Sequence, residues 1–269
     1  ADQMLNINTQ IGPIYVSYPS DENIKNILLS IKKNPPTYDF ESFDKSIHRL
    51  WCVNDKNFIR EFTNLAINIK HLYIADGHHR IGAMQHIKKI NPLIERFMIA
   101  AFPSNECKIF DYNRVIKDLN GLSKDQFIKN LSNDFKVLKV DKAYKPSTKN
   151  HFGMYHDNQW YILEFINSLT SNNFIDALDI NILNQFCLTK MLNIKDVNND
   201  ERIRFIAGCH GLSALEKKVD ENPDSVAFSI FPSKITDVIR VADNNLTMPP
   251  KSTWFDPKPL DGLVVYEFN

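Results

Sequence analysis

The chain has 269 residues, 43% of them hydrophobic and 24% charged, with 32 basic residues against 32 acidic ones and a formal charge of zero. Such a composition suits a globular protein of one large or two ordinary domains, and zero net charge removes any general pull towards nucleic acid or a membrane surface. No apolar run reaches the ~20 residues that cross a bilayer. No signal-peptide pattern is present. Cys52, Cys107, Cys187 and Cys209 are scattered without a C-x-x-C pair, so free thiols and a cytoplasmic location are expected.

In chain order, residues 14–18 read as a buried strand after the Gly12-Pro13 turn. Asp21 is placed to cap a helix over 22–33, whose Ile24, Ile27, Leu28 and Ile31 fall at helical spacing and which Pro35-Pro36 ends. Residues 47–53 alternate like a strand, Asp55 opens a helix to about 67, and 72–75 form a third strand. Gly77 breaks that strand, a helix follows over 79–89, and 97–102 make a strand ended by Pro103. Further on, Ser123 caps a helix over 124–131, and 135–140 form a strand. The runs 151–156 and 159–165 flank Asp157-Asn158 as a hairpin. Helices are expected over 176–192, 212–222 and 233–242, and strands over 225–231 and 262–268. The lysines from Lys136 to Lys149, with Asp141 the only acid among them, read as a solvated edge, a polyanion contact being the lesser reading.

The chemistry concentrates at Asp76-Gly77-His78-His79-Arg80. Gly77 can adopt a backbone conformation closed to other residues and lets a ligand approach closely. A helix N-terminus presents free N–H groups and partial positive charge, which suits an anion. His78, His79 and Arg80 add side-chain donors, and a guanidinium matches phosphate geometry. The bland alternative is a strand-to-helix turn with Asp76 as cap. Three cation-capable side chains on one helix start favour the phosphate site. Adjacent histidines point about 100° apart on a helix, and no H-x-x-x-H or H-E-x-x-H spacing occurs, so no metal site is read here.

Residues 75–80, Ala-Asp-Gly-His-His-Arg, resemble the hallmark of domain-of-unknown-function family one-thousand-and-fifteen. Residues 111–122, 176–183, 202–215 and 248–258 followed by Gly262-Leu263 resemble its later blocks in the same order. The D-G-H-H-R run is in turn similar to that of the ParB/sulfiredoxin superfamily, which includes free-serine kinases. There a glycine, a variable residue and a basic pair hold nucleotide phosphates at a helix start. The resemblance implies a mixed α/β (α+β) fold, with a ParB/sulfiredoxin-like core over 1–112 and an α+β region over 113–269 that returns its Lys-Ser-Thr loop to the Gly77 turn. It implies ADP or ATP as cofactor, with Mg²⁺ accompanying the nucleotide. Gly77, His78, His79, Arg80, Lys251, Ser252 and Thr253 would bind it, and Asp76 and His79 would act in catalysis. Family members carry a further upstream segment with a His-Glu motif, and residues 1–12 resemble its end, so the chain is expected to lack a catalytic part. Sulfiredoxins place their catalytic Cys where His78 stands, which removes that activity here.

Several residues keep two readings. Asp76 is a base, a Mg²⁺ ligand or a helix cap. Asn113-Arg114 contacts a substrate carboxylate or phosphate, or Arg114 makes a surface salt bridge; His48-Arg49 has the same choice. Lys251 reaches phosphate from its proline-rich loop or is solvated. The glycines of Gly208-Cys209-His210-Gly211 imply a turn that another group approaches closely, a nucleotide being one candidate. Trp51 and Trp160 read as core, and Trp254 adjoins the Lys-Ser-Thr turn. The leading expectation is a small-molecule kinase resembling free-serine kinases, transferring a phosphoryl group to a small hydroxyl substrate. The alternatives are a non-catalytic nucleotide-binding regulator and a ParB-like nucleotide-gated DNA-binding protein, the latter opposed by the zero net charge.

Overall fold

The computed structural model describes residues 1–43, 45–169 and 173–268. It is a mixed α/β protein whose chain divides into two compact units, one of residues 1–107 with 257–269 and one of residues 108–256. The sequence reading set the division at 112 and assigned the whole C-terminal stretch to the second region. The last residues belong instead to the first unit, because Tyr266–Glu267 pairs antiparallel with Thr9–Gln10 and Phe268 enters the first unit's core.

The first unit is built on a three-stranded sheet. Its central strand β1 (Ile14–Tyr18) is buried at every position, as its nearly continuous apolar run requires. It lies antiparallel to β2 (Tyr73–Asp76) and parallel to β3 (Ile99–Pro103). Helix α1 (Glu22–Ile31) starts where expected: Asp21 Oδ1 accepts from the N–H groups of Asn23 and Ile24 at 2.8 and 3.0 Å, satisfying two of the helix's orphan donors. Helix α2 (Lys56–Ala66) is capped in the same way by Asp55. Helix α3 (His78–Ile90) packs Met84 and Ile87 against Ile14 and Val16 of β1, with Ile94 and Phe268 completing the cluster. This packing fixes where the helix starts. A hairpin of Tyr38–Glu41 with Ile47–Leu50 was only half expected, because Tyr38–Glu41 lies exposed on both faces and leaves no alternating burial signal. The expected strand over 262–268 shrinks to Tyr266–Glu267; its partner among the described residues, Thr9–Gln10, is two residues long, and Val264 and Val265 stay exposed.

The second unit is a six-stranded antiparallel sheet. Its strands are β4 (Tyr112–Ile116), β5 (Phe135–Val140), β6 (His151–His156), β7 (Gln159–Phe165), β8 (Ile203–Ala207) and β9 (Val226–Ile230), in the order β8-β4-β9-β6-β7-β5. Asp157 and Asn158 turn the β6–β7 hairpin at φ of 50° and 56°, the left-handed pair that a two-residue hairpin demands. Helix α4 (Lys124–Leu131) carries a full capping box between Ser123 and Gln126. The expected helix over 176–192 is an α-helical turn, α5 (Asp179–Leu183), running into a wider π-wound segment, Asn184–Thr189. The changed winding keeps Leu183, Cys187 and Leu188 all in the core. Phe127, Phe135, Phe152 and Phe228 fill the same cluster. A second cluster joins Trp160 and Ala227 to Leu215 and Val219 of helix α6 (Ser213–Asp220), so Trp160 is a core residue as expected. Helix α7 (Ile235–Asp243) follows β9. Among the described residues, no helix is long and apolar enough to cross a membrane.

Candidate functional site

Strand β2 delivers Asp76 beside Tyr15 of β1, and Gly77 turns the chain into α3 with φ of +89°. A side chain at that position would be strained by the backbone, while its Cβ would meet Ile14 Cα at 3.4 Å, an ordinary contact distance. Gly77 caps α3 without any side-chain hydrogen bond. The helix's own bonding begins with Arg80 and Ile81, whose N–H groups donate to Gly77 O at 2.8 and 3.0 Å. Among the described residues, the N–H groups of His78 and His79 have no hydrogen-bond partner, and both imidazoles are exposed. These are the free donors that make a helix start attractive to an anion.

The charged groups beside them are already engaged. Asp76 does not cap α3; its Oδ1 accepts from the N–H of Gly77 at 2.8 Å, and its Oδ2 accepts from Lys258 Nζ. Partial burial pushes the Asp76 carboxyl up. The Lys258 hydrogen bond and charge, the Gly77 N–H and Arg80 together outweigh that and hold it below the usual carboxylate range. Arg80 donates to Pro13 O at 2.8 Å and to both oxygens of Asp261, at 2.9 and 2.7 Å. Gly12 is the third member of this contact: a Cβ there would lie 2.2 Å from Asp261 Oδ1 and 2.9 Å from Arg80 Cζ. Lys258, Asp261 and Gly12 were not among the sequence-derived site residues. Nothing in their local pattern flags them, since the two ion-pair partners lie 181 and 182 positions along the chain.

The remaining expected site residues belong to the second unit. Asn113 is fully buried, its amide donating to Asp111 Oδ2 at 2.6 Å and accepting from the N–H of Ile230 at 3.0 Å. Arg114 is not the surface ion pair that a lone arginine suggests. It is fully buried, stacks 5.1 Å from the Phe205 ring, and donates to Tyr112 O and, at 2.9 Å, to Lys251 O. Through that last bond it anchors the turn at Lys251, whose φ is +54°. The Lys251 ammonium lies 5.9 Å from both the Tyr112 and Phe205 rings. Ser252 is buried with its hydroxyl donating to Pro249 O, and Thr253 is half-buried beside it. Arg49 pairs with Asp39 at 3.0 Å, and His48 stacks on Phe40.

The group that approaches the Gly208–His210 turn is a carboxylate. A Cβ on Gly208 would fall 2.1 Å from Asp111 Oδ1, and the Gly208 N–H donates to Asp111 O at 2.8 Å. Lys145, from the lysine-rich stretch, ion-pairs with this buried Asp111 at 2.8 Å, while Lys149 pairs with Asp237 at 3.1 Å. That stretch is therefore partly committed to internal carboxylates. Among the described residues, no group of three or more His, Cys, Asp or Glu side chains is placed to hold a metal ion.

These features define a mixed α/β protein in two units, the first carrying an uncapped helix start with free donors behind a left-handed glycine. The chain belongs to the family described as "Protein of unknown function (DUF1015)", whose model matches residues 1–181. The resembling blocks from Arg202 onward lie beyond those residues. None of the curated proteins matches the chain. Among solved structures it is similar to a free serine kinase mutant in complex with AMP, at 13% identity and a TM-score of 0.46, over 97% of this chain and 81% of that one. It is also similar to SbnI with a C-terminal truncation from Staphylococcus aureus, at 9% identity and 0.47, over 97% and 75%. A third is a conserved hypothetical protein from Pyrococcus furiosus, at 13% and 0.42, over 97% and 84%.

Proposed function

We propose that the first unit binds the phosphate groups of ADP or ATP at the start of α3, and that the protein is a small-molecule kinase acting on a hydroxyl. The observation that carries this reading is the pair of unpartnered N–H groups at His78 and His79, directly after a glycine held at φ of +89°. A helix of this length offers an anion both hydrogen bonds and the dipole. The family resemblance to phosphate-holding D-G-H-H-R turns supplies the nucleotide.

Phosphoryl transfer needs charge neutralisation on the phosphates and a group to orient or deprotonate the acceptor. The imidazoles of His78 and His79 are exposed at the site, and His79 is the group of the right kind to take the acceptor's proton. Asp76, held ionised, is a weak base; it fits better as a carboxylate facing a nucleotide-borne Mg²⁺, which would neutralise phosphate charge. For that, Lys258 must leave Asp76. Lys251 is exposed in the second unit, at a turn that Ser252 and Thr253 continue, and it is a candidate phosphate-binding cation in its own right. Asn113 serves as a support for Asp111 rather than a substrate contact.

One observation favours the non-catalytic regulator. Both charged groups of the turn are already neutralised, Arg80 by Asp261 and Asp76 by Lys258. In a regulator, nucleotide would exchange for these pairs without being consumed. The two readings separate in one assay: ADP or ATP with Mg²⁺ and a panel of free amino acids and small alcohols, scored for phosphorylated product. Nucleotide binding without product from any acceptor leaves the regulator and removes the kinase.

A further inference from the structure

In the first unit, none of the described residues between 34 and 72 is buried. They form the hairpin of Tyr38–Glu41 with Ile47–Leu50 and helix α2, whose chief neighbour is the surface helix α1. A two-stranded hairpin or an 11-residue helix is marginal in water unless an apolar face is covered. Here the apolar side chains are present and uncovered: Tyr38, Phe40, Phe43, Ile47, Ile59 and Ile67 are all exposed. Apolar exposure gathered on one segment in this way marks an interaction surface.

That surface carries both a recess and a projection. The recess is a groove of about 420 Å³ running from the end of α1 to the start of α2, its apolar walls made by Ile31, Pro35, Trp51, Val53 and Phe58. Trp51, expected in the core, stands half-buried in this wall. Its Nε1 donates to Asn34 O at 2.8 Å, and the adjoining Cys52 N–H donates to Thr37 Oγ1 at 2.9 Å, so the wall is held in place. A preformed apolar recess of this size readily admits an aromatic ring. The projection is Phe43, in the turn of the hairpin and fully exposed, so it does not fill the groove of its own chain.

We propose that residues 34–72 are a self-association surface, on which two copies of this chain meet about a two-fold axis and the Phe43 ring of each enters the groove of the other. A two-fold interface sets a surface against itself, so a patch with a net charge would repel its own copy. This one carries five basic and five acidic residues. A surface made for an anionic membrane would carry a basic excess instead. The size also agrees: a stable interface takes about 20–30 residues a side, and the exposed residues of 34–72 are enough for it. Recess and projection lie on the same segment, as reciprocal exchange between identical partners requires. The proposal uses no residue of the Gly77 turn and holds or fails apart from the nucleotide reading.

The test is sedimentation-velocity ultracentrifugation of the full chain from about 1 to 100 μM, paired with iodoacetamide labelling read out site by site by peptide mass spectrometry. The chain should sediment at twice its 31.2 kDa mass at the upper concentrations. Cys52 is exposed and lines the groove, so it should be labelled slowly in the dimer and faster on dilution, while the exposed Cys209 of the second unit keeps one rate. Phe43→Ser changes a fully exposed side chain and should keep the fold, checked by circular dichroism. It should weaken association at least about tenfold and restore fast Cys52 labelling. A monomer at every concentration, a dimer that Phe43→Ser leaves intact, or equal Cys52 labelling in dimer and monomer would each overturn the proposal.

Discussion

Each unit holds a glycine pressed against a carboxylate, and the two contacts differ in what surrounds them. In the first unit Gly12 lies against Asp261, a half-exposed residue paired with Arg80. In the second, Gly208 lies against Asp111, which is buried, accepts from Asn113 and is ion-paired to Lys145. The first carboxylate can swing into solvent when crowded or when a competing anion claims its arginine. The second cannot move without leaving buried partners unmatched. The arginines follow the same division, since Arg80 has a carboxylate partner that solvent screens while Arg114 is enclosed and has none among the described residues. An exchangeable arrangement is what a phosphate site that opens for its ligand requires. A locked one serves to hold the strand and turn around it in place.

Substitutions at the two glycines give the sharpest contrast. Gly208→Ala should cost roughly 3–4 kcal/mol in urea denaturation, because the new Cβ meets a pinned buried carboxylate. A loss below about 1 kcal/mol would mean that Asp111 is free to shift and that the contrast is false. Asp179→Asn comes next and has the opposite sign. An acid whose folded pKa is raised destabilises the fold while ionised; that penalty is absent below its ordinary value of 3.8 and complete above about 6. The variant should therefore match wild type near pH 4 and exceed it near pH 7, by up to about 3 kcal/mol for a rise of two units. Equal stabilities at both pH values would show that Asp179 carries no such stress.

Gly77→Ala should cost about 1–2 kcal/mol for the left-handed backbone alone, with a larger loss of nucleotide binding than of stability. Gly12→Ala and Asp261→Asn should be smallest, each under about 1 kcal/mol, since they disturb a screened surface pair. Their interest lies in binding. Asp261→Asn frees Arg80, so it should tighten ADP binding if Arg80 contacts phosphate, and Arg80→Ala should weaken it. Opposite or absent effects on ADP affinity would reduce the Arg80–Asp261 pair to a structural role.

What could be read from the sequence follows from how local each signal is. Asp21, Asp55 and Ser123 cap helices through bonds spanning two or three residues, and Asp157-Asn158 turns a hairpin by its own backbone. The strand, glycine and helix around Gly77 are equally local, and their elements lie within a residue or two of the expected bounds. The partners of that turn were not legible, because Lys258 and Asp261 reach it only after the chain has built a whole second unit and come back. The helix over 176–192 misled through its own pattern, since apolar spacing does not distinguish α-winding from the π-wound segment at Asn184–Thr189. Burial of Arg114 is likewise invisible in a sequence that reads Tyr-Asn-Arg-Val-Ile, because what encloses it are residues such as Phe205 and Lys251 from distant strands and loops.

The central claim is that phosphate sits on the N–H groups that α3 leaves free. The most direct measurement is the change in backbone amide NMR signals when ADP is titrated into nitrogen-15-labelled protein. The amides of His78 and His79 should move furthest and saturate together with the nucleotide. Saturable ADP binding that leaves those two amides in place, or no ADP binding at all, would contradict the claim.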